Sequence, residues 1–550
     1  MEASLSVLTG ISLMAAVLLS MPAHGEVFSA LTHFSSLVKA EERLASELQA
    51  YIAAEQERIA QLHRFAGEVK QAVHSSSRLG PEEHIGHPTN AFLMVRRFTH
   101  DWQKLKFKLQ APPKGGNGLM SMLDQMQSSF PTTADITGTA TALMRLQETY
   151  RLNVSAMADG QAGSLGQRLQ LADIFSLGVL AYNDKQYFHA KRWLQECLRR
   201  VYSGAGDPHV TEAGVIDFLA FTEYNLGNIR RAIRWTKKLA QLNPGNARAT
   251  SNLKYYLTVF REQVKNGSAF IEKKKGGAEK PWVDHVWLQE RDRYKQLCRE
   301  PIETPDFVAE SQVCFYSNRN RTPRLILRPA KVEVAWVKPT VLLYRDIVSE
   351  SEINRLKELA TPRLKRATVH SPVTGKLEFA DYRVSKSGWL AEWHDNSGVV
   401  DRINTRITDY TGLSMTTAEL LQVVNYGIGG QYEPHYDHAR KTEKAFEQHV
   451  EGNRIATMLF YLSNVTSGGC TVFTKAGARI APSKGDATFW YNLLPSGEGD
   501  EQTRHAGCPV LSGSKWVCNK WIHERDQEFL KPCKLNEFDE WDIHKAPEFL

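Results

Sequence analysis

From Leu31 to Val73 the apolar residues recur at spacings of three and four: Leu31, Phe34, Val38, Leu48, Ile52, Ile59, Leu62, Val69 and Val73. That spacing predicts a helix with one apolar stripe. Glu41 and Glu55 interrupt the seam, so the stripe suits a coiled-coil partner or packing within its own domain. Pro112–Gly118, with two prolines and three glycines, predicts a loop. Residues 171–256 carry a different pattern, of paired helices, and beyond about residue 337 the chain turns to short β-rich runs. Leu420–Tyr426, Ile455–Leu462, Asp486–Asn492 and Lys515–His523 each suit a strand. Glycine turns at Gly427–Gly430 and Gly468–Gly469 separate them, which predicts a double-stranded β-helix, or jelly roll.

In the helical stretch, Leu177-Gly178, Tyr187, Ala190 and Leu194 fit the tetratricopeptide template, as do Leu219, Gly227, Ala232 and Pro244. Ala232 lies 42 residues after Ala190, against a usual period of about 34, and an enlarged connection at Ser203–Pro208 accounts for the excess. Two such units and a following helix form a concave surface suited to extended peptides. Aromatic residues are dense here, among them Tyr182, Tyr187, Phe188, Trp193, Tyr202, Phe218, Phe221, Tyr224, Tyr255 and Tyr256. Any one of them is more readily core than ligand, yet a tyrosine-lined groove suits a polyproline II strand. Lys273–Lys280 reads as a solvated linker.

Composition changes the picture little. At 550 residues the chain exceeds one core and predicts three or four domains. A net charge of +7 without a dense basic helix gives no support for a nucleic-acid partner. The N-terminus says more. Leu5–Leu19 is largely apolar and precedes Ala23-His24-Gly25, the length and ending of a secretory signal peptide. No later segment reaches membrane-spanning length without charges, so a soluble protein of the endoplasmic reticulum lumen is expected. The chain ends Ala546–Leu550 with no retrieval signal, so a partner is expected to retain it. That compartment permits disulfides among the seven cysteines. Cys298 and Cys314 would close a short loop, as would Cys508 and Cys533, leaving Cys197, Cys470 and Cys518; spacing does not fix the connectivity. Asn153, Asn266, Asn320 and Asn464 head glycosylation sequons.

The candidate chemistry sits at His435-Tyr436-Asp437. Residues two apart on a strand share a face, so both side chains can reach one metal. A third imidazole, His505, follows 68 residues after Asp437. Two histidines and a carboxylate with open positions opposite are the ligand set of non-heme iron(II) oxygenases. Ten residues beyond His505 comes Lys515, opening a run in which Lys515, Trp521 and His523 share a face. An ammonium there would pair with the distal carboxylate of 2-oxoglutarate.

The run from Asn425 through Gly427-Ile428-Gly429-Gly430 to Tyr432-Glu433-Pro434-His435-Tyr436-Asp437 resembles the core signature of animal collagen prolyl 4-hydroxylase alpha subunits. So do Gly452–Thr457, Phe489–Leu493, Ser496–Asp500 and Thr503–Ala506, and upstream Gly86-His87-Pro88, Asn90-Ala91-Phe92 and Asn252–Tyr255. The similarity covers essentially the whole mature chain. It implies iron ligands His435, Asp437 and His505, with Lys515 on 2-oxoglutarate and Tyr426, Thr471 and Trp521 lining its pocket. It implies Tyr432, Arg454 and His523 as contacts of the substrate peptide. It further implies a groove for proline-rich peptides formed by Tyr182, Tyr187, Phe218, Phe221, Tyr224, Asn252 and Tyr255. Phe218, Phe221 and Thr258 stand where relatives often carry tyrosine. Disulfides Cys298–Cys314 and Cys508–Cys533 are implied in the same way, with Cys470 and Cys518 as departures.

The resulting expectation is a multidomain α + β protein: signal peptide 1–25, N-terminal helical dimerisation region 26–150, tetratricopeptide-like peptide-binding domain 151–262, linker with a short disulfide loop 263–336, and dioxygenase barrel 337–550. The implied activity is hydroxylation of proline in X-Pro-Gly repeats of procollagen, using iron(II), 2-oxoglutarate, dioxygen and ascorbate and releasing succinate and carbon dioxide. The implied assembly pairs two such chains, joined through their N-terminal helices, with two protein disulfide isomerase subunits. The competing readings are a collagen-binding chaperone with an inert barrel, and a dioxygenase acting on another secreted proline-rich protein.

Overall fold

The computed structural model describes residues 56–110, 133–265, 285–301, 309–370, 377–441, 443 and 450–541, apart from 75, 79, 310, 311, 320, 380, 381, 428, 537, 538 and 540. The expected signal peptide, the stripe from Leu31 to Ile52, the loop at 112–118, Asn266 and Asn320 lie outside the described residues. The chain divides into two compact units, Met1–Ser75 and Ser76–Leu550. In the first, residues 56–74 are helical, as the three-four spacing predicts, and Ile59 and Val73 of the stripe are exposed.

Near the start of the second unit, after the short helix Pro81–Ile85, lie helices α1 (Pro88–Arg96) and α2 (Thr133–Tyr150), with Trp102–Leu109 between them. Pro88 stands at the first turn of α1, where a missing N–H leaves nothing unpaired. Gly86 lies so close to the barrel that a Cβ there would sit 2.7 Å from the Gly513 backbone, and Gly513 N–H donates to Gly86 O over 2.9 Å. The Gly-His-Pro motif therefore docks the helical region against the turn preceding Lys515.

Five helices follow: α3 (Leu171–Asn183), α4 (Tyr187–Tyr202), α5 (Glu212–Asn225), α6 (Ile229–Leu242) and α7 (Ala247–Lys265). They are the two predicted hairpins and the closing helix, each packed on the next. Leu177, Trp193, Leu194 and Leu219 are buried between them, so Trp193 belongs to the core. Gly178 marks the tightest approach of α3 and α4, since a Cβ there would meet the Leu194 side chain at 2.8 Å.

The C-terminal part is built on two main sheets, with two two-stranded ribbons beside them. The larger has nine strands: β1 (Cys314–Ser317), β2 (Ala330–Trp336), β3 (Val341–Arg345), β4 (Lys365–Arg366), β5 (Lys386–Leu390), β6 (Leu421–Tyr426), β8 (Arg454–Tyr461), β11 (Ala487–Tyr491) and β13 (Lys515–His523), in the order β1-β2-β3-β11-β8-β13-β6-β5-β4. The smaller has four, β7 (Tyr432–His435), β9 (Thr471–Phe473), β10 (Arg479–Ile480) and β12 (His505–Gly507), in the order β7-β12-β9-β10. The four strands predicted from the sequence correspond to β6, β8, β11 and β13 within a residue at each end. Two further helices, Glu350–Ala360 and Val399–Thr411, bury Ile353, Leu356, Ile403 and Ile407 in the core shared with Leu342, Val423 and Met458. Among the described residues no helix is long and apolar enough to cross a membrane.

The structure departs from expectation over 263–336. Only part of that stretch is open to a linker, because α8 (His285–Arg299) packs on α2 and β9, and β1 and β2 complete the larger sheet. The docking of α8 also overturns the implied pairings Cys298–Cys314 and Cys508–Cys533. Buried Cys298, near the end of α8, is bonded to buried Cys508, just after β12, with Cα atoms 5.5 Å apart and 210 residues between them in sequence. Cys314, on edge strand β1, and Cys533 are exposed free thiols. Cys197, Cys470 and Cys518 are buried free thiols. Of the sequons described, Asn153 and Asn464 are both exposed; Asn153 also caps the helix Val154–Ala158 by accepting from Ser155 and Ala156 N–H. Non-reducing peptide mapping is expected to recover Cys298 linked to Cys508; a Cys298–Cys314 peptide would refute the long-range bond.

Candidate active site

Strand β7 runs antiparallel to β12, with His435 directly opposite His505 and Tyr432 opposite Gly507. The register shifts by one residue between those two pairs, a β-bulge of the kind that re-aims side chains beside a site. Asp437 follows β7 by two residues and comes to the same place. One ligand atom from each of His435, Asp437 and His505 lies within 4.8 Å of the others. His435 Nε2 is 3.6 Å from Asp437 Oδ1, and His505 Nε2 is 3.6 Å from Asp437 Oδ2.

The protein fixes these ligands by their outer atoms. His435 Nδ1 is 2.8 Å from Glu433 O, and His505 Nδ1 is 2.9 Å from Thr503 O. A carbonyl can only accept, so Nδ1–H is the donor in both rings and each Nε2 lone pair is left free for a metal. Asp437 Oδ2 accepts from Thr457 Oγ1 at 2.8 Å; Thr457 Oγ1 accepts from Asn492 Nδ2 at 2.8 Å, and Asn492 Oδ1 from Trp490 Nε1 at 2.8 Å. Burial disfavours the Asp437 carboxylate, but the neighbouring His505 and His435, assisted by Arg454, outweigh it and hold the group well below the usual carboxylate range; a bound metal cation would take over that role once both rings serve as neutral ligands. Two neutral imidazoles and one anionic carboxylate, all nearly buried, fit a single iron(II) ion.

Tyr426, Thr471, Trp521 and Lys515 line one cavity with the three ligands. The alternation along β13 explains the lysine: Lys515, Val517, Asn519 and Trp521 face the cavity, while Trp516, Cys518, Lys520 and Ile522 point away. Lys515 is 2% exposed, its ammonium lies 5.0 Å from the Tyr426 ring, and no carboxylate among the described residues bridges to it. Burial pulls its pKa down to about 8, opposed only by the Cys470 thiol.

Residues 30–163 match the prolyl 4-hydroxylase alpha-subunit N-terminal region, residues 171–262 the prolyl 4-hydroxylase peptide-substrate-binding domain, and residues 421–523 the 2OG-Fe(II) oxygenase superfamily. The chain is 42% identical to prolyl 4-hydroxylase subunit alpha-1 of Rattus norvegicus over 96% of its own length and 99% of the relative's. It is 42% identical to the Homo sapiens alpha-1 subunit, over 94% of this chain and 97% of that one. It belongs to the prolyl 4-hydroxylase alpha-subunit family. It is 41% identical to the alpha-2 subunit of Caenorhabditis elegans over 94% of this chain and 95% of that one. A viral collagen prolyl hydroxylase from Paramecium Bursaria Chlorella virus-1 aligns at 25% identity over 33% of this chain and 94% of its own, with a TM-score of 0.27.

Family membership makes this chain an iron(II)- and 2-oxoglutarate-dependent dioxygenase, with ascorbate typical of the family. Tyr432 joins the cavity lining and stacks on His435, ring centroids 3.5 Å apart, with Arg383 4.7 Å over its ring. Arg454 and His523 do not line the cavity. Arg454 stacks 4.0 Å over Trp521 and donates to Glu419, which also faces His523 Nε2 at 3.2 Å. Glu419, Arg383, Thr457 and Asn492 went unread in the sequence. Thr457, a hydroxyl inside the apolar run Ile455–Leu462, and Asn492, within the run Phe489–Leu493, carried a signal but no assigned role.

In the helical part, the rings form one contiguous strip. Tyr187 meets Tyr182 at 6.1 Å, Tyr182 meets Phe218 at 5.0 Å and Phe221 at 5.7 Å, and Phe221 meets Tyr224 at 6.0 Å. Tyr224 then meets Tyr255 at 5.8 Å, their hydroxyls bonded over 2.9 Å. Asn252 is half-buried one helical turn before Tyr255.

Two outcomes follow from this geometry. Thr457→Val is expected to keep the fold but weaken iron(II) binding by about 10–100-fold, as loss of a ligand's orienting partner does; anaerobic metal titration checks it. Lys515 must be charged to pair with 2-oxoglutarate, and it is charged below about pH 8. Above that pH the KM for 2-oxoglutarate should rise about tenfold per unit while the iron affinity set by the His-Asp-His site changes far less.

Proposed function

We propose that this chain hydroxylates proline at C4 in X-Pro-Gly repeats of procollagen in the endoplasmic reticulum lumen, entering through the predicted signal peptide. The observation that carries the reading is the pairing of a His-Asp-His site and a buried lysine with a strip of aromatic side chains on one chain. Iron(II), when bound with 2-oxoglutarate and dioxygen, supplies the oxidising power as the co-substrate is decarboxylated to succinate. His435, Asp437 and His505 would hold the metal on one face. Lys515 grips the distal carboxylate through a charge-assisted bond in a site shielded by Leu459, Val517 and Trp490. Tyr432, stacked on His435, stands beside the metal where a substrate proline would pack; Arg454 and His523, tied to Glu419, brace Trp521 and the rim. The rings from Tyr187 to Tyr255 offer faces to a proline-rich chain in the polyproline II form.

The assembly we propose is two of these chains, joined through the N-terminal helical stripe, with two protein disulfide isomerase subunits whose retrieval signals hold the complex in the lumen. The exposed Ile59 supports a helix partner. Occupancy of the exposed sequons Asn153 and Asn464 would accord with that compartment.

Purified complex given collagen-like (Pro-Pro-Gly) peptide, iron(II), 2-oxoglutarate and ascorbate should form hydroxyproline and succinate together. His435→Ala and Asp437→Ala should abolish both without unfolding. Lys515→Ala should weaken 2-oxoglutarate binding by about 1.5–3 kcal/mol. Peptide binding without succinate release would instead identify a chaperone.

A further inference from the structure

A cavity of about 650 Å3 opens beside the metal site and is shared by the helical repeats and the barrel. One wall is the α3–α4 turn, with Lys185, Gln186, Tyr187 and Phe188. The facing wall includes Glu433 and Pro434, which lead directly into His435, and Arg504, which precedes His505. Helices α2 and α8 close the third side with Thr141, Arg145, Glu148, Arg291 and Tyr294. We propose that this cleft carries the substrate chain from the aromatic strip to the metal, holding the residues between its docked stretch and the proline being oxidised. The proposal rests on the prolyl-hydroxylase reading above.

Three features argue for a peptide as the occupant. The cleft is bounded by elements of both sites: Tyr187, the end ring of the strip, lines one wall, and Pro434, which precedes a metal ligand in sequence, lines another. Its walls are held in place: Arg145 donates to Gly429 O at 2.9 Å, fixing α2 to the glycine turn before β7, and Tyr150 Oη donates to Pro509 O at 2.6 Å. Its charges are matched, Glu148 with Arg291 and Lys295, and Arg504 with Glu290. Lys185 and Gln186 add further N–H donors beyond these pairs, so the lining offers more donors than a ligand rich in donors of its own could use. It suits an uncharged Pro- and Gly-rich chain whose carbonyls have no partners of their own and accept from side-chain N–H groups, while Phe188, 47% exposed, offers a ring face.

The full complex tests this with two measurements. First, a long (Pro-Pro-Gly) peptide carrying a benzoylphenylalanine photoprobe at successive positions is bound anaerobically with iron(II) and an unreactive 2-oxoglutarate analogue. Cross-links from mid-peptide probes to residues 141–149 and 185–189 are expected; cross-links confined to α5, α7 and the barrel mouth would overturn the proposal. Second, Thr141→Trp, which fills the cleft, should raise the KM of the long peptide by about three- to tenfold, while the KM of a single-repeat peptide moves less than about twofold. An unchanged ratio of the two KM values in the folded variant would also overturn it. If the parent complex hydroxylates neither peptide, the catalytic reading fails on its own, and the cross-links still decide the cleft.

Discussion

The antiparallel register of β7 with β12 is the constraint on which the rest of the site depends. Side chains in a sheet alternate faces, so a slip of one residue would send His435 to the opposite side from His505. The bulge between Tyr432 and His435 sets that register, and it places the Tyr432 ring on the His435 imidazole. Asp437 needs no strand of its own. It lies two residues beyond His435 and is anchored by Thr457 from the other sheet. The metal site thus bridges both layers of the barrel, and each layer contributes something the other cannot.

Burial works in two directions here. It lowers the pKa of the Lys515 ammonium, a cost borne without a carboxylate partner among the described residues. An unpaired buried charge is poor for stability and good for binding an anionic co-substrate, so the lysine reads as a group kept for a ligand. The carboxylate of Asp437 is the counterexample. It is equally buried, but two imidazoles and a hydroxyl surround it, and it stays ionised.

Much of this was legible in the chain because local signals and tertiary structure agree. The strands containing Leu421–Tyr426 and Lys515–His523 are apolar runs ended by glycine turns; the period of two along the second run put Lys515, Trp521 and His523 on one face, and of these Lys515 and Trp521 line the cavity while His523 does not. The helical hairpins followed from small residues such as Gly178 and Ala190 at crossing points. What escaped were contacts made between distant elements. Cys298 lies in a stretch that reads as linker, and only the docking of α8 on the barrel brings it to Cys508. Glu419 stands in no motif of the sequence, and its role exists only because Arg454 and His523 fold onto it. Asn492 belonged to a recognisable run, but its amide matters through Thr457, one strand away.

Anaerobic equilibrium dialysis of iron(II) against the complex, in the parent and in a His505→Ala variant, tests the convergence of the three ligands. One ferrous ion per chain in the parent, with binding lost in the variant while the fold is kept, is the expected result. Unaltered binding in His505→Ala would show that the metal is held elsewhere and would contradict the register on which the site is built.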